Sequence, residues 1–347
     1  MSIVAGAIAK RLGPGGRGWL AGIGAILLLF GVLLRSGEAV PQISTAKAPQ
    51  TLQETGLYSD FATLQVDPAH LAFSPQYPLW TDGATKRRWI SLPPGSAIDA
   101  SDPDAWVFPV GTRLWKEFSF DGRRVETRYL QLLADGEWLY AAYEWSADGR
   151  EAWLAPERGK RNAYPLAGGR SHTIPGTADC KVCHQANPSE VLGFSALQLS
   201  SDRDRNALHA ELQAGSGVDL RYLVENGLVI ALPKSLQQTP PRIKARSATE
   251  RAALGYMHGN CGHCHNAQGP LKNLGLFLRQ VQDPSTPSAI TTTVEHPVKA
   301  LAPGQPDTTK LRIEPGRLLD TPRQPHGERA ALTKFALQRY IAPQQPA

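Results

Sequence analysis

All four cysteines of the 347-residue chain fall in two copies of one five-residue pattern. The copies are Cys180-Lys-Val-Cys183-His184 and Cys261-Gly-His-Cys264-His265. In each copy the two thiols are three positions apart and can reach the two vinyl groups of one porphyrin, while the histidine that follows can bind the iron. C-x-x-C-H is the attachment motif of c-type haem, so the sequence predicts two covalent haems with His184 and His265 as proximal iron ligands.

Other uses of the cysteines fit this spacing less well. Four cysteines in an exported chain could form two disulfides. A redox dithiol would need C-x-x-C near a βαβ pattern, and a zinc site would need one cluster of four ligands. The histidine directly after each second cysteine favours haem over these alternatives.

Residues 1–39 have the composition of an export signal. Residues 18–34 are 17 uncharged, mainly apolar residues that follow three basic ones. A secretory signal is built in this way, but 17 apolar residues are also close to the shortest helix that crosses a bilayer. We expect a signal peptide or an N-terminal membrane anchor, followed by a linker at 40–56. Either would place the rest of the chain in the periplasm, soluble or anchored to the inner membrane through 18–34.

The positive charge gives little support to nucleic-acid binding. About half of the formal charge of +6 belongs to residues 1–39, which hold four basic residues and one acid. The remaining basic residues are scattered, and their longest run is Lys86-Arg87-Arg88. A short run of this kind is usually a solvated face, so we expect no nucleic-acid partner.

Residues 57–165 have the pattern of an antiparallel β domain. Seven of the eight tryptophans lie between positions 80 and 153. Six runs rich in aromatic and β-branched residues are separated by Asp-Gly pairs, which suit tight hairpin turns. The runs are 87–92, 105–108, 114–120, 125–133, 138–145 and 151–154, and the Asp-Gly pairs are 82–83, 121–122, 135–136 and 148–149. We expect about six strands, with the tryptophans mainly in the core.

The region around the second motif, residues 245–347, resembles small single-domain cytochromes c. A helix is predicted at 249–259, with Ser247 as N-cap and Glu250 completing a capping box, and it leads directly into Cys261. A second helix is predicted at 328–341. The resemblance implies that these two helices cross, with Gly255-Tyr256 against Tyr340.

The first haem module, residues 166–244, is less regular. The residues immediately before Cys180 do not predict a helix, whereas 203–212 and 218–228 do. This region resembles a reduced or rearranged cytochrome module.

The sixth ligands of the irons stay open. Thr321 stands where many such cytochromes have a methionine, and Met257 lies four residues before Cys261, where core packing is expected. At least one haem is therefore expected to have two histidine ligands or an open position. The candidate distal histidines are His326 and His296 for the second haem, His209 and His172 for the first, and His258 across an inter-haem contact.

Four further stretches, 77–83, 86–92, 108–115 and 126–129, together with both motifs, resemble a poorly characterised family of bacterial dihaem c-type cytochromes. The resemblance implies an α+β multidomain protein in which a Trp-rich antiparallel β domain precedes a mainly α-helical, cytochrome c-like dihaem region. It also implies electron transfer with a periplasmic or membrane redox partner.

Two other functions remain open. One is a dihaem enzyme of the peroxidase or oxygenase type, which needs one haem with an open position and a tryptophan lent by the β domain. The other is an electron-collecting subunit of a periplasmic dehydrogenase. No catalytic side chain is predicted.

Overall fold

The computed structural model describes residues 46–211, 217–282, 289–293 and 296. The apolar segment 18–34, His326 and the predicted helix 328–341 with Tyr340 lie outside the described residues. Within the described ranges no helix is both long enough and apolar enough to cross a bilayer.

The described part of the chain contains twelve strands and five α-helices. The strands are β1 (Tyr58–Asp60), β2 (Gln65–Val66), β3 (Leu71–Ala72), β4 (Thr85–Ser91), β5 (Ile98–Asp99), β6 (Arg113–Phe120), β7 (Arg123–Leu132), β8 (Trp138–Trp145), β9 (Ala152–Leu154), β10 (Lys160–Pro165), β11 (Ser171–Ile174) and β12 (Val229–Ile230). The helices are α1 (Thr177–His184), α2 (Leu220–Glu225), α3 (Lys234–Gln238), α4 (Ala248–Asn260) and α5 (Ala289–Thr293), with short 3-10 turns at Gln53–Thr55, Ala167–Gly169 and Lys272–Leu274.

The dominant element is a six-stranded antiparallel sheet in the order β3-β4-β6-β7-β8-β9. It confirms the predicted β-rich region. Asp121 and Gly122 form the two-residue turn between β6 and β7, with φ of 50° and 78°. Positive φ at both positions is what this type of hairpin turn requires, and Asp-Gly supplies it at low cost.

Two expected elements are absent from the described residues. Residues 105–108 form no strand, and Val107 makes only a single bridge to Asp99 before Pro109 removes a backbone donor. Residues 203–211 are turns rather than helix, because the Asp204 carboxylate accepts from the Asn206 N–H at 3.0 Å and so competes with helical bonding.

The expected mainly α-helical region is likewise not found in the described residues beyond 166, where α4 is the one helix of more than eight residues. The helix expected at 218–228 is reduced to α2. Its start is fixed by Asp219, whose carboxylate accepts from the Tyr222 N–H at 2.8 Å, and by Val218, which is bridged to Phe73.

Each face of the large sheet covers a different core. One face buries Trp89, Trp115 and Tyr143 under the segment that contains Leu52 and Leu57. These tryptophans are buried, as expected for core residues, whereas Trp153 is 54% exposed.

The opposite face packs against residues from beyond position 165. Ile90 and Leu114 share one hydrophobic core with Phe194, Leu220 and Leu223. Strand β12 also pairs in parallel with β5. The core therefore runs from the β-rich part into the part that carries the first motif.

Helix α4 is held against the β-rich part by two glycines. Its N-cap is Ser247, as predicted, and the Ser247 hydroxyl accepts from the Glu250 N–H at 3.1 Å. A Cβ at Gly255 would overlap the ring of Tyr77, and one at Gly259 would overlap the Tyr77 carbonyl oxygen. Tyr77 thus occupies the Gly255 side of the helix, where the resemblance to cytochromes c implies contact with Tyr340.

Candidate dihaem attachment site

The first motif occupies the last turn of α1. The helix begins at a backbone turn in which the Asp179 carboxylate accepts from the Gly176 N–H at 2.9 Å. Its His184 ring lies 5.2 Å from the ring of Tyr140 on β8. The motif therefore lies near the sheet face that the later residues cover, although no residue of α1 is buried and Val182 is 57% exposed.

His184 is oriented by a backbone carbonyl. Its Nδ1 lies 2.6 Å from the backbone carbonyl oxygen of Glu190. That oxygen can only accept a hydrogen bond, so Nδ1 carries the proton and Nε2 keeps its lone pair. Burial lowers the pKa of His184 to about 4, with further contributions from His263 and Lys116. A neutral imidazole with a free Nε2 is the form that binds a metal ion.

The second motif follows α4 without a break. Both the Cys261 and the Gly262 N–H donate to the Met257 carbonyl, at 2.8 and 2.9 Å. The His265 N–H donates to the Cys261 carbonyl at 2.9 Å, and the His265 carbonyl accepts from Leu278 at 2.8 Å. Met257 is 8% exposed and packs in the core, as expected.

A Cβ at Gly262 would lie 2.7 Å from the His258 carbonyl oxygen and 3.0 Å from the Arg279 Cα. The second position of this motif consequently has no room for a side chain.

Asn187 joins the two motifs. Its side-chain amide donates to the Cys183 carbonyl at 2.8 Å and to the His263 carbonyl at 3.4 Å. Burial lowers the pKa of His263 to about 4, and the positive charge of Lys116 lowers it further. Motifs that start 81 residues apart in the sequence are thus in the same place in the fold.

The sheet face beneath the motifs carries a row of cations. Arg88, Lys116 and Arg128 stand directly opposite one another on β4, β6 and β7. Burial raises the pKa of the Cys180 thiol, while the charge of Arg128 opposes that shift. This row was not predicted from the sequence. The interpretation of Lys86-Arg87-Arg88 as a solvated face is wrong for two of the three residues, because Lys86 and Arg88 are 7% and 6% exposed on the inner face of β4.

The candidate distal histidines are in different settings. His172 is 1% exposed, and its Nε2 pairs with Glu126 Oε2 at 2.8 Å. His209 is exposed, with its ring 6.3 Å from Trp80 and 6.2 Å from Tyr256. His296 is exposed and His326 lies outside the described residues.

His258 is half-buried on α4, three residues before the second motif. Its Nδ1 accepts from the Gln280 N–H at 3.1 Å, so its proton is on Nε2. Burial lowers the pKa of His258 to about 3, and Arg279 and His263 contribute to the shift.

None of the four cysteines, all of which lie in described ranges, forms a disulfide. No group of three or more histidine, cysteine, aspartate or glutamate side chains in the described residues is arranged to hold a metal ion. Comparison of the chain with protein-family models, curated proteins and solved structures finds no match.

Proposed function

We propose that this chain is an exported dihaem c-type cytochrome that transfers electrons through two covalently bound haems. The observation that carries the proposal is the hydrogen bonding of Asn187 to both attachment motifs. Two independent thiol pairs have no need to be close together, whereas two redox centres that exchange electrons do.

The residues of each motif fit a covalent haem. Cys180 and Cys183 would form the thioethers of the first haem, and His184 would bind its iron through Nε2. Cys261, Cys264 and His265 would do the same for the second. When bound, each haem supplies one-electron cycling between Fe(III) and Fe(II). The protein contributes orientation, through the Glu190 carbonyl on His184 Nδ1.

The proposal extends to the fold and the location. The capped helix α4 that leads into Cys261 supports a cytochrome c-like arrangement of residues 245–347. The composition of residues 1–39 supports export to the periplasm, with a soluble or membrane-bound redox partner there.

The test is haem content followed by redox titration of the exported protein. We expect a pyridine haemochrome spectrum of two c-type haems per chain and two reversible one-electron waves. The C180A/C183A and C261A/C264A variants should each lose one haem and one wave. Absence of covalent haem, or of any reversible wave, would contradict the proposal.

A dihaem peroxidase is the second candidate, and one observation favours it. Trp106, from the β-rich part, lines a pocket together with Asn187, His258 and His263, and so lies where the motifs meet. A five-coordinate high-spin haem with turnover of hydrogen peroxide would support the enzyme. Two six-coordinate low-spin haems that bind neither cyanide nor carbon monoxide would exclude it.

A further inference from the structure

The cations on the inner face of the sheet are more numerous than the carboxylates beside them. Arg88, Lys116 and Arg128 face one another on adjacent strands, a placement in which like charges destabilise a sheet. Lys86 adds a fourth cation on the same face of β4, and both Lys86 and Arg88 are less than 10% exposed. Such a cluster costs free energy unless anions neutralise it.

Two carboxylates of the described residues neutralise part of this positive charge. Glu211 pairs with Arg88 and, at 3.4 Å, with Lys86. Glu126 pairs with Arg128 at 2.6 Å, but it also pairs with His172 at 2.8 Å. Four cations thus share two carboxylates, one of which is divided with a histidine.

Of these four cations, Lys116 is the one that forms no ion pair with a described residue. No carboxylate of the described ranges lies within 4 Å of its Nζ, and its neighbour is the Phe118 ring, whose centroid is 4.9 Å away. Arg128 lies against the same ring at 4.4 Å. Burial holds the pKa of Lys116 well below its usual range, and Arg88 and Arg128 lower it further. The negative charge of Glu211 acts on Lys116 from further away, but Glu211 is already paired with Lys86 and Arg88. Lys116 therefore lacks an anion of its own among the described residues.

The row lies close to the first attachment motif, and its charge acts on residues of both motifs. The His184 ring is against Tyr140 on β8, which borders the row beyond Arg128. The charge of Lys116 acts on His184 and on His263 of the other motif. The unneutralised charge is therefore located beside the site where both haems would be attached.

We propose that Lys116, with Arg88 and Arg128, binds the propionate carboxylates of the attached haems. This inference rests on the proposed function, because it needs the haems to be present. A propionate is a carboxylate that remains ionised at neutral pH, and it would form charge-assisted hydrogen bonds with ammonium and guanidinium groups. The β-rich part then serves as the anion-binding wall of the haem site.

The test compares K116M, K116R and the control K234M, an exposed lysine on α3, in the exported holoprotein. Loss of the positive charge of Lys116 should favour Fe(III) at least tenfold in one haem. This corresponds to a midpoint potential lower by about 59 mV for a one-electron couple. K116R and K234M should keep potentials near the wild-type value, and the propionate bending modes in resonance Raman spectra should shift in K116M alone.

Haem content separates the two proposals. A chain without covalent haem would contradict the proposed function itself. Two haems with reversible waves, but with equal potentials and Raman spectra in K116M and K234M, would overturn only the assignment of Lys116. If K116M loses a haem, the assignment is tested with K116R instead. K116R keeps the positive charge and should therefore retain both haems and the wild-type potentials.

Discussion

At the scale of single residues, the candidate site depends on side chains that set protonation and charge. His184 is held in one tautomer by the Glu190 carbonyl, and His258 is held in the opposite one by the Gln280 N–H. The first leaves Nε2 available to a metal ion, whereas the second leaves a proton there. Two half-buried histidines, one in the first motif and one next to the second, thus carry their protons on different ring nitrogens.

The low pKa of His258 in the folded protein predicts that stability depends on pH. Its pKa is about 3 in the folded protein, against an ordinary value of 6.5, so the unfolded chain binds more protons between these two values. The free energy of unfolding should therefore fall as the pH decreases from 6.5, and His258 should contribute about 1 kcal/mol to the fall between pH 6 and pH 5.

Denaturant unfolding of the wild type and H258Q at several pH values measures this contribution. The difference in unfolding free energy between them should be constant above pH 7 and should change in favour of H258Q below pH 6.5. H209Q is the control, because His209 is exposed. Parallel curves for the wild type and H258Q would contradict the assignment.

The two motifs can be found in the sequence because the proposed haem attachment requires a fixed local spacing. Asn187 and Lys116 could not be predicted. Asn187 has meaning only when the Cys183 and His263 carbonyls are brought together. Lys116 becomes unusual only when pairing places Arg88 and Arg128 opposite it.

At the scale of elements, the strands and the main helix follow local rules. Asp-Gly turns and aromatic alternation predicted most of the large sheet, and β8 has the predicted bounds of 138–145. Residues 203–211 could not be predicted because the Asp204 side chain competes for backbone donors there. The partner of α4 also could not be predicted, since it is Tyr77, about 180 residues earlier.

The packing of α4 against Tyr77 predicts that one substitution, G255A, has opposite effects on stability in the wild type and in a Y77A background. G255A should destabilise the protein by about 1–3 kcal/mol, because the new methyl group overlaps the Tyr77 ring. In a Y77A background the ring is gone, and G255A should instead stabilise by up to about 1 kcal/mol through helix propensity.

G259A is the matched control on the same helix. Its methyl group would meet the backbone oxygen of residue 77, which Y77A retains, so G259A should destabilise in both backgrounds. Urea unfolding of the single and double variants measures all of these differences. The described packing of α4 on Tyr77 would be contradicted if Y77A removed the destabilisation caused by G259A. It would also be contradicted if Y77A left the destabilisation caused by G255A unchanged.

At the scale of the whole molecule, the β-rich part and the motif-bearing part share structure that the sequence did not reveal. Phe194 and Leu223 complete the core of the sheet face that contains Ile90 and Leu114. Composition changes near residue 165 and so suggested a boundary there. A shared core cannot be predicted from composition. The apolar residues on its two sides look like the core residues of two separate domains, and composition does not show that they pack against each other.

The shared core predicts that the β-rich part does not fold alone. A fragment of residues 46–165 would expose one apolar face of the large sheet, together with the buried cations on it. It should bind a hydrophobic dye and unfold without a cooperative transition, whereas the chain from residue 46 to 347 should unfold cooperatively. A sharp thermal transition of the isolated fragment would contradict this expectation.

The contact between Tyr77 and helix α4 also sets an order of events during synthesis. Residue 77 must wait for residues 255–259, about 180 positions later, before its packing is complete. At about 5–20 residues per second, that wait lasts roughly 9–36 s. Cys180 and Cys183 precede Gly255 by about 75 positions, so at the same rate they are synthesised roughly 4–15 s before the helix that packs on Tyr77. The first motif is therefore complete before its link through Asn187 to the second motif can form.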